Sequence, residues 1–171
     1  QTGAAYVYTT QDNIIPMSES AAIDGIACQV LGCEVTSEFG NRNLENLNYF
    51  YEEEGIDEKG NLQNGRTYLF LTLQYTNTTD AEVEIVRGTV GVYRLDERLI
   101  VRGYSVDVAY IDECWLEGTA SEANHYRLKP GETITSEVGY IVDRDFVESS
   151  GQLYFALRQS DCLGDFGACT D

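Results

Sequence analysis

The chain has 171 residues, 43% hydrophobic and 23% charged, with 11 Lys and Arg against 29 Asp and Glu for a formal charge of −18. One domain of ordinary globular proportions follows, and a wholly disordered chain does not. The charge also argues against nucleic acid as a partner, because phosphate binding draws its affinity from clustered cations, and no Lys/Arg cluster occurs here.

An anionic membrane or wall polymer would be repelled by the same surface. The densest apolar run, Tyr68-Leu69-Phe70-Leu71-Thr72-Leu73, is six long, far short of the roughly 20 residues that span a bilayer as helix. The chain begins at Gln1 and its only methionine is Met17. A cleaved export signal explains this, and so does a shortened chain. Five cysteines, Cys28, Cys33, Cys114, Cys162 and Cys169, fit an oxidising compartment better than a reducing one. Their odd number leaves at least one thiol without an intrachain partner.

In chain order, residues 1–22 are small and polar with no sustained period, and read as an N-terminal arm or tether with a possible edge strand at Ala5 to Thr9. The domain proper is expected over 23–171. Ile26, Cys28 and Val30 alternate, then Leu31, Cys33 and Val35 alternate on the opposite parity, the pattern of a strand with a bulge near Val30 to Gly32. Leu44, Leu47 and Tyr51 have the spacing of a short helical turn near 42–51. Asn64-Gly65 supplies a turn. Leu69, Leu71, Leu73 and Tyr75 then share one face, the polar turn Asn77-Thr78-Thr79-Asp80 follows, and Val83 with Ile85 reads as the return arm of a hairpin.

Val90 with Val92, Leu99 with Val101, and Val106, Val108 and Tyr110 give three further short strands. Residues 112–127, with Trp115 and His125, have no assignable pattern. After Pro130-Gly131, Ile134, Val138, Tyr140 and Val142 line a long strand, and Leu153, Phe155 and Leu157 line the last. Seven or eight strands with turns every 8 to 15 residues or so predict an all-β antiparallel sandwich of immunoglobulin-like type.

The run from Tyr68 to Thr79, followed by Leu128-Lys129-Pro130-Gly131-Glu132-Thr133 and Gly139-Tyr140-Ile141-Val142, with Asp57-Glu58-Lys59-Gly60-Asn61-Leu62 as a polar lead-in, resembles a known group. These are the immunoglobulin-like domains of uncharacterised cell-surface lipoproteins of Gram-positive, often gut-dwelling, bacteria, similar in fold to the secreted mycobacterial immunoprotective antigen. The resemblance covers roughly residues 55–158. It implies export, a lipidated cysteine upstream of Gln1, and no catalytic residues to carry over. One departure is that Cys114 directly precedes Trp115, so the inter-sheet bridge packed on tryptophan in antibody domains is not expected.

Several constellations could carry chemistry. Glu54, Asp57, Glu58 and Asn61 could offer oxygens to calcium, but Lys59 stands where an EF-hand needs an acid, so a solvated acidic loop is the favoured reading. Cys162 and Cys169 could close a short C-terminal disulfide worth roughly 2–3 kcal/mol by loop entropy. Cys28 and Cys33 lie on opposite faces of a regular strand and would need the bulge to pair. Zinc lacks a C-x-x-C pair and would depend on His125, the one histidine. His125 also lacks a nucleophile motif and reads as a bystander. Among 12 tyrosines, Tyr104 and Tyr154 are the candidate exposed aromatic contacts.

The combined expectation is a non-enzymatic extracellular binding or structural module, anchored at a bacterial cell surface, with an unknown protein or carbohydrate ligand, no cofactor, and a membrane link only through an upstream lipid. A calcium-dependent carbohydrate-binding module is the first alternative. A hydrolase using two carboxylates is the second.

Overall fold

The computed structural model describes residues 5–8, 11–47, 55–86, 90–102, 108–112, 125–149, 152–157 and 167–170. Where the side chains alternate with period two the backbone is extended, and the described residues form twelve strands: β1 (Ala5–Tyr8), β2 (Ala21–Ile23), β3 (Ile26–Thr36), β4 (Arg66–Asn77), β5 (Val83–Val86), β6 (Val90–Leu95), β7 (Val101–Arg102), β8 (Val108–Ile111), β9 (His125–Leu128), β10 (Thr133–Asp143), β11 (Leu153–Leu157) and β12 (Gly167–Thr170). The count exceeds seven or eight because several strands are only two to four residues long. Among the described residues one short helix, α1 (Arg144–Glu148), interrupts them. Every strand pairing is antiparallel.

The central sheet has the order β2-β3-β4-β10-β8; β11-β6-β7, β5-β9 and β1-β12 form smaller sheets. β4 and β10 pair along eleven positions, Arg66 opposite Asp143 through Thr76 opposite Thr133. Leu69, Leu71, Leu73 and Tyr75 of β4 and Val138, Tyr140 and Val142 of β10 project to one face and are fully buried. They pack with Ile85, Val90, Val92 and Leu128 from β5, β6 and β9, so two layers close face to face as the predicted antiparallel β-sandwich. Each buried leucine on that face contributes about 1.5–3 kcal/mol.

The opposite face of the central sheet carries a second core. Tyr68 and Phe70 of β4, Ala109 and Tyr110 of β8 and Ile141 of β10 are covered by Phe39, Leu47, Ile56 and Leu62 from the irregular stretch before β4. Of the helical turn expected near 42–51, the described residues hold a 3-10 turn, Leu44–Asn46, with Asn43 as its cap. Residues 48–54 lie outside the described part.

The bulge in β3 is present, with a register shift between Val30 and Gly32. It brings Cys33 opposite Leu71 while Cys28 stays opposite Tyr75, so the bulge puts on one face two cysteines that a regular strand would divide between both. They remain free thiols, Cys28 buried and Cys33 exposed. Five positions of extended chain separate them by about 13 Å or more, too far to bridge.

Two expectations fail. Val83 and Ile85 do not return along β4; β5 pairs with β9, and β4 lies between β3 and β10. The reason is Asn77, whose carboxamide binds Ala81 O and Leu128 O and turns the chain out of the central sheet. Leu99 is likewise not in a strand: it has φ 59° in the turn from Asp96 to Ile100 that joins β6 to β7.

The helix α1 was not anticipated, since five residues hold too little of a 3.6-residue period to be legible. Phe146 and Val147 pack against the inner core. Arg94 of β6, almost fully buried, donates from Nε to Phe146 O at 2.7 Å and from Nη2 to Val147 O at 2.6 Å, which satisfies carbonyls that a helix end leaves open. Arg94→Met keeps the apolar stem and removes those donors. A loss of about 1–2 kcal/mol is expected from the orphaned carbonyls, seen as a lower urea midpoint with unchanged slope.

Candidate functional site

One group of hydrogen-bonded polar residues surrounds the cap on the outer face. Asp57 and Asn61 sit in a tight loop closed by the Ile56 to Leu62 bridge. Asp57 Oδ1 accepts from Lys59 N at 2.9 Å and Asn61 N at 2.8 Å, and Oδ2 accepts from Asn61 Nδ2 at 3.1 Å. Asn61 Oδ1 in turn accepts from Phe39 N at 3.0 Å. Gly60 has φ 83°, and an added Cβ would lie 2.7–2.8 Å from Leu44 and Phe39, so only glycine fits between the loop and the cap. Tyr68 Oη donates to Gly60 O at 2.7 Å.

The calcium candidates are placed as follows. Asp57 and Asn61 bind each other and the backbone, Glu58 is exposed, and Glu54 lies outside the described residues. Among the described residues no group of three His, Cys, Asp or Glu is placed to hold a metal ion.

Arg42 is the polar centre that sequence reasoning missed. Its Nε and Nη2 meet Glu137 Oε1 and Oε2 at 2.7 and 3.0 Å, Nη2 also meets Glu34 at 2.6 Å, and Nη1 donates to Phe39 O at 3.1 Å. The guanidinium lies 3.5 Å above the centroid of the Phe70 ring, a cation–π geometry. Burial works against the charge, but the bonds to Glu137 and Glu34 outweigh it and raise the Arg42 pKa. Beneath it Phe39, Tyr68, Phe70 and Tyr110 form an aromatic cluster with centroids 4.9–6.2 Å apart. Burial, then the charges of Glu137 and Asp112, push the Tyr110 hydroxyl up to about 12. Asp112 accepts from Ser136 Oγ and Glu137 N, both at 2.8 Å. The signal that could have found Arg42 is a lone arginine inside an otherwise uncharged stretch, Phe39-Gly40-Asn41-Arg42-Asn43-Leu44.

His125 Nδ1 lies 2.9 Å from Glu84 Oε1 across the β5–β9 pair, and Arg127 Nε reaches Glu84 Oε2 at 3.4 Å. These side chains are 31%, 46% and 66% exposed, so the pair is a cross-strand surface contact rather than an enclosed dyad. Tyr154 is half-buried opposite buried Tyr93, less open than alternation predicted. Tyr104 and Cys162 lie outside the described residues. Cys169 is in β12, opposite Tyr6. The Cys28 thiol is pushed up to about 12 by burial, and burial raises that of Cys33 as well, which makes both poor nucleophiles at neutral pH.

Among the described residues three carboxyls are held below their usual range: Asp57 chiefly by Asn61 N–H, Glu132 chiefly by Lys129 N–H, and Glu84 chiefly by His125. A depressed folded pKa adds stability above the unfolded value and loses it as pH falls through the folded one. The melting temperature is expected to hold to about pH 4, the unfolded carboxyl range, and then to drop. Asp57→Asn should flatten part of that drop; an identical acid profile for the variant would refute the assignment.

No protein-family model and no curated protein matches the chain. Among solved structures, it is similar to an uncharacterized β-sandwich protein from Clostridium difficile 630, at 14% identity and TM-score 0.46, over 88% of this chain and 87% of that one. It is also similar to a conserved hypothetical protein from Bacillus anthracis, at 11% identity and TM-score 0.43, over 91% of this chain and 92% of that one.

Proposed function

We propose that this chain is a non-enzymatic extracellular module of a bacterial cell-surface protein, held at the membrane by a lipid upstream of Gln1, with a binding or structural role. The supporting observation is that the central sheet buries apolar side chains on both faces, against the second layer and against the cap. Recognition of a protein or carbohydrate then falls to loop ends and strand edges. The polar groups that could have done chemistry, Asp57, Asn61, Arg42, Glu137 and Asp112, hold backbone and one another in place.

The test is a glycan array and a chromogenic hydrolase panel run on the same preparation, with protease shaving of intact source cells for location. Saturable binding or no turnover on the panel, with the epitope shaved from whole cells, supports the module. Turnover abolished by substituting a single acid, or a protein protected until lysis, overturns it. Chelation bears on the calcium alternative: because Asp57 already accepts three N–H bonds, EDTA is expected to leave the melting temperature unchanged. A fall reversed by calcium would reinstate the ion.

A further inference from the structure

We propose that Asn64 is a site of spontaneous deamidation in the folded protein, and that its isoaspartyl product loosens the junction between β10 and α1. Asn64 and Gly65 occupy an exposed turn with φ 60° and 74°, the Asn-Gly geometry of a tight reversal. Gly65 presents no Cβ, and nothing lies within 4 Å of where one would be; the Asn64 carboxamide rests over Gly55, its Nδ2 2.7 Å from where a Cβ there would be, and swings from that exposed position to meet the Gly65 nitrogen.

Four other asparagines among the described residues give an internal contrast, and a fifth, exposed Asn41, precedes the long side chain of Arg42. Asn43 Oδ1 accepts from Glu45 N, Asn46 Nδ2 donates to Asp112 O, Asn61 is bound at both ends, and Asn77 is bound five ways. Each precedes a side chain that blocks its neighbour's nitrogen: Leu44, Leu47, Leu62 and Thr78. Among the described residues, Asn64 has no such hydrogen bond to its carboxamide, and its successor has no side chain.

The Gly65 nitrogen attacks Asn64 Cγ; the new N–Cγ bond forms, the Cγ–Nδ2 bond breaks, and the amide leaves as ammonia with the Gly65 proton. Water then opens the succinimide at either carbonyl, giving aspartate or isoaspartate. No oxidant or reductant enters. The turn has only to open locally, which exposed loop tips do at little cost.

The isoaspartyl form inserts one methylene into the main chain beside Gly65. Gly65 O accepts from Arg144 N at 3.0 Å, and Gln63 O from Arg66 N at 3.3 Å; both bonds are thrown out of register. The turn that starts β4 thereby releases the first residue of α1.

The test ages the intact folded chain in mildly alkaline buffer beside the free peptide Gly60–Arg66, the tryptic fragment that carries both Asn61 and Asn64. Fragment ions are expected to place the amide-to-acid mass gain on Asn64 alone, with isoaspartate in excess. Aged protein should melt lower and lose exchange protection at the Arg144 amide. Asn64→Gly, which suits the positive φ, should show neither change. Unmodified Asn64 after the free peptide has fully converted, or equal conversion at Asn61, overturns the site. Conversion with an unchanged Arg144 amide overturns the structural consequence.

Discussion

Asn77→Ala is expected to lower stability by about 3–4 kcal/mol, since each buried polar group left without a partner costs about 1–3 kcal/mol. Asn77 ends β4 and is fully buried. Its Nδ2 lies 2.7 Å from Ala81 O, 3.0 Å from Leu128 O and 3.1 Å from Lys129 O, while Oδ1 accepts from Thr79 N and Oγ1 at 2.9 and 2.8 Å. Its own backbone adds a bond from Asn77 N to Glu132 O at 3.0 Å and one from Gly131 N to Asn77 O at 3.1 Å. One carboxamide thus joins the end of β4, the crossing to β5 and the turn between β9 and β10. Asn77→Asp should cost at least as much, because a carboxylate would face three carbonyl oxygens. A urea midpoint left in place by the alanine variant would contradict the assignment.

Gly139→Val carries the second large effect, a loss of about 3 kcal/mol from overpacking. Gly139 is opposite Phe70 in the register, and a Cβ there would lie 2.6 Å from the Phe70 ring and 3.1 Å from Tyr110 Cβ. The ring covers the bare backbone of β10 and supports Arg42 from below. Any side chain at 139 moves Phe70, and so moves Arg42 off Glu137. Arg42→Met alone should cost about 1–3 kcal/mol, chiefly by leaving the half-buried Glu137 carboxylate without its partner, since Glu34 is exposed. Because both changes act through Phe70, the double variant should lose clearly less than the sum of the two. Strict additivity in denaturant unfolding would show that the stack transmits nothing.

The sandwich was legible because most of its evidence is local. Alternation in Leu69-Leu71-Leu73-Tyr75 and Val138-Tyr140-Val142 marks a face without reference to any partner, and the parity change at Val30 to Gly32 marks a bulge. Pairing was less legible. The polar turn after Tyr75 has hairpin composition, yet Asn77 spends its side chain on carbonyls about fifty residues away, which no nearest-neighbour rule contains. The same limit hid Arg42, whose partners Glu34 and Glu137 are separated from it by 8 and 95 positions. The composition of the acidic stretch marks a loop, but its internal bonding depends on Asp57 and Asn61 folding back on one another. A list of oxygen donors does not distinguish that from a cation cage.

The hydrophobicity of Tyr68-Leu69-Phe70-Leu71 on consecutive positions, all buried, now has a thermodynamic corollary. β4 and β10 contribute side chains to both clusters, so neither can lose its order while the other keeps it. Calorimetry should record a single heat-absorption peak whose van't Hoff and calorimetric enthalpies agree, and excision of residues 37–65 would be expected to leave an insoluble remainder rather than a smaller working domain.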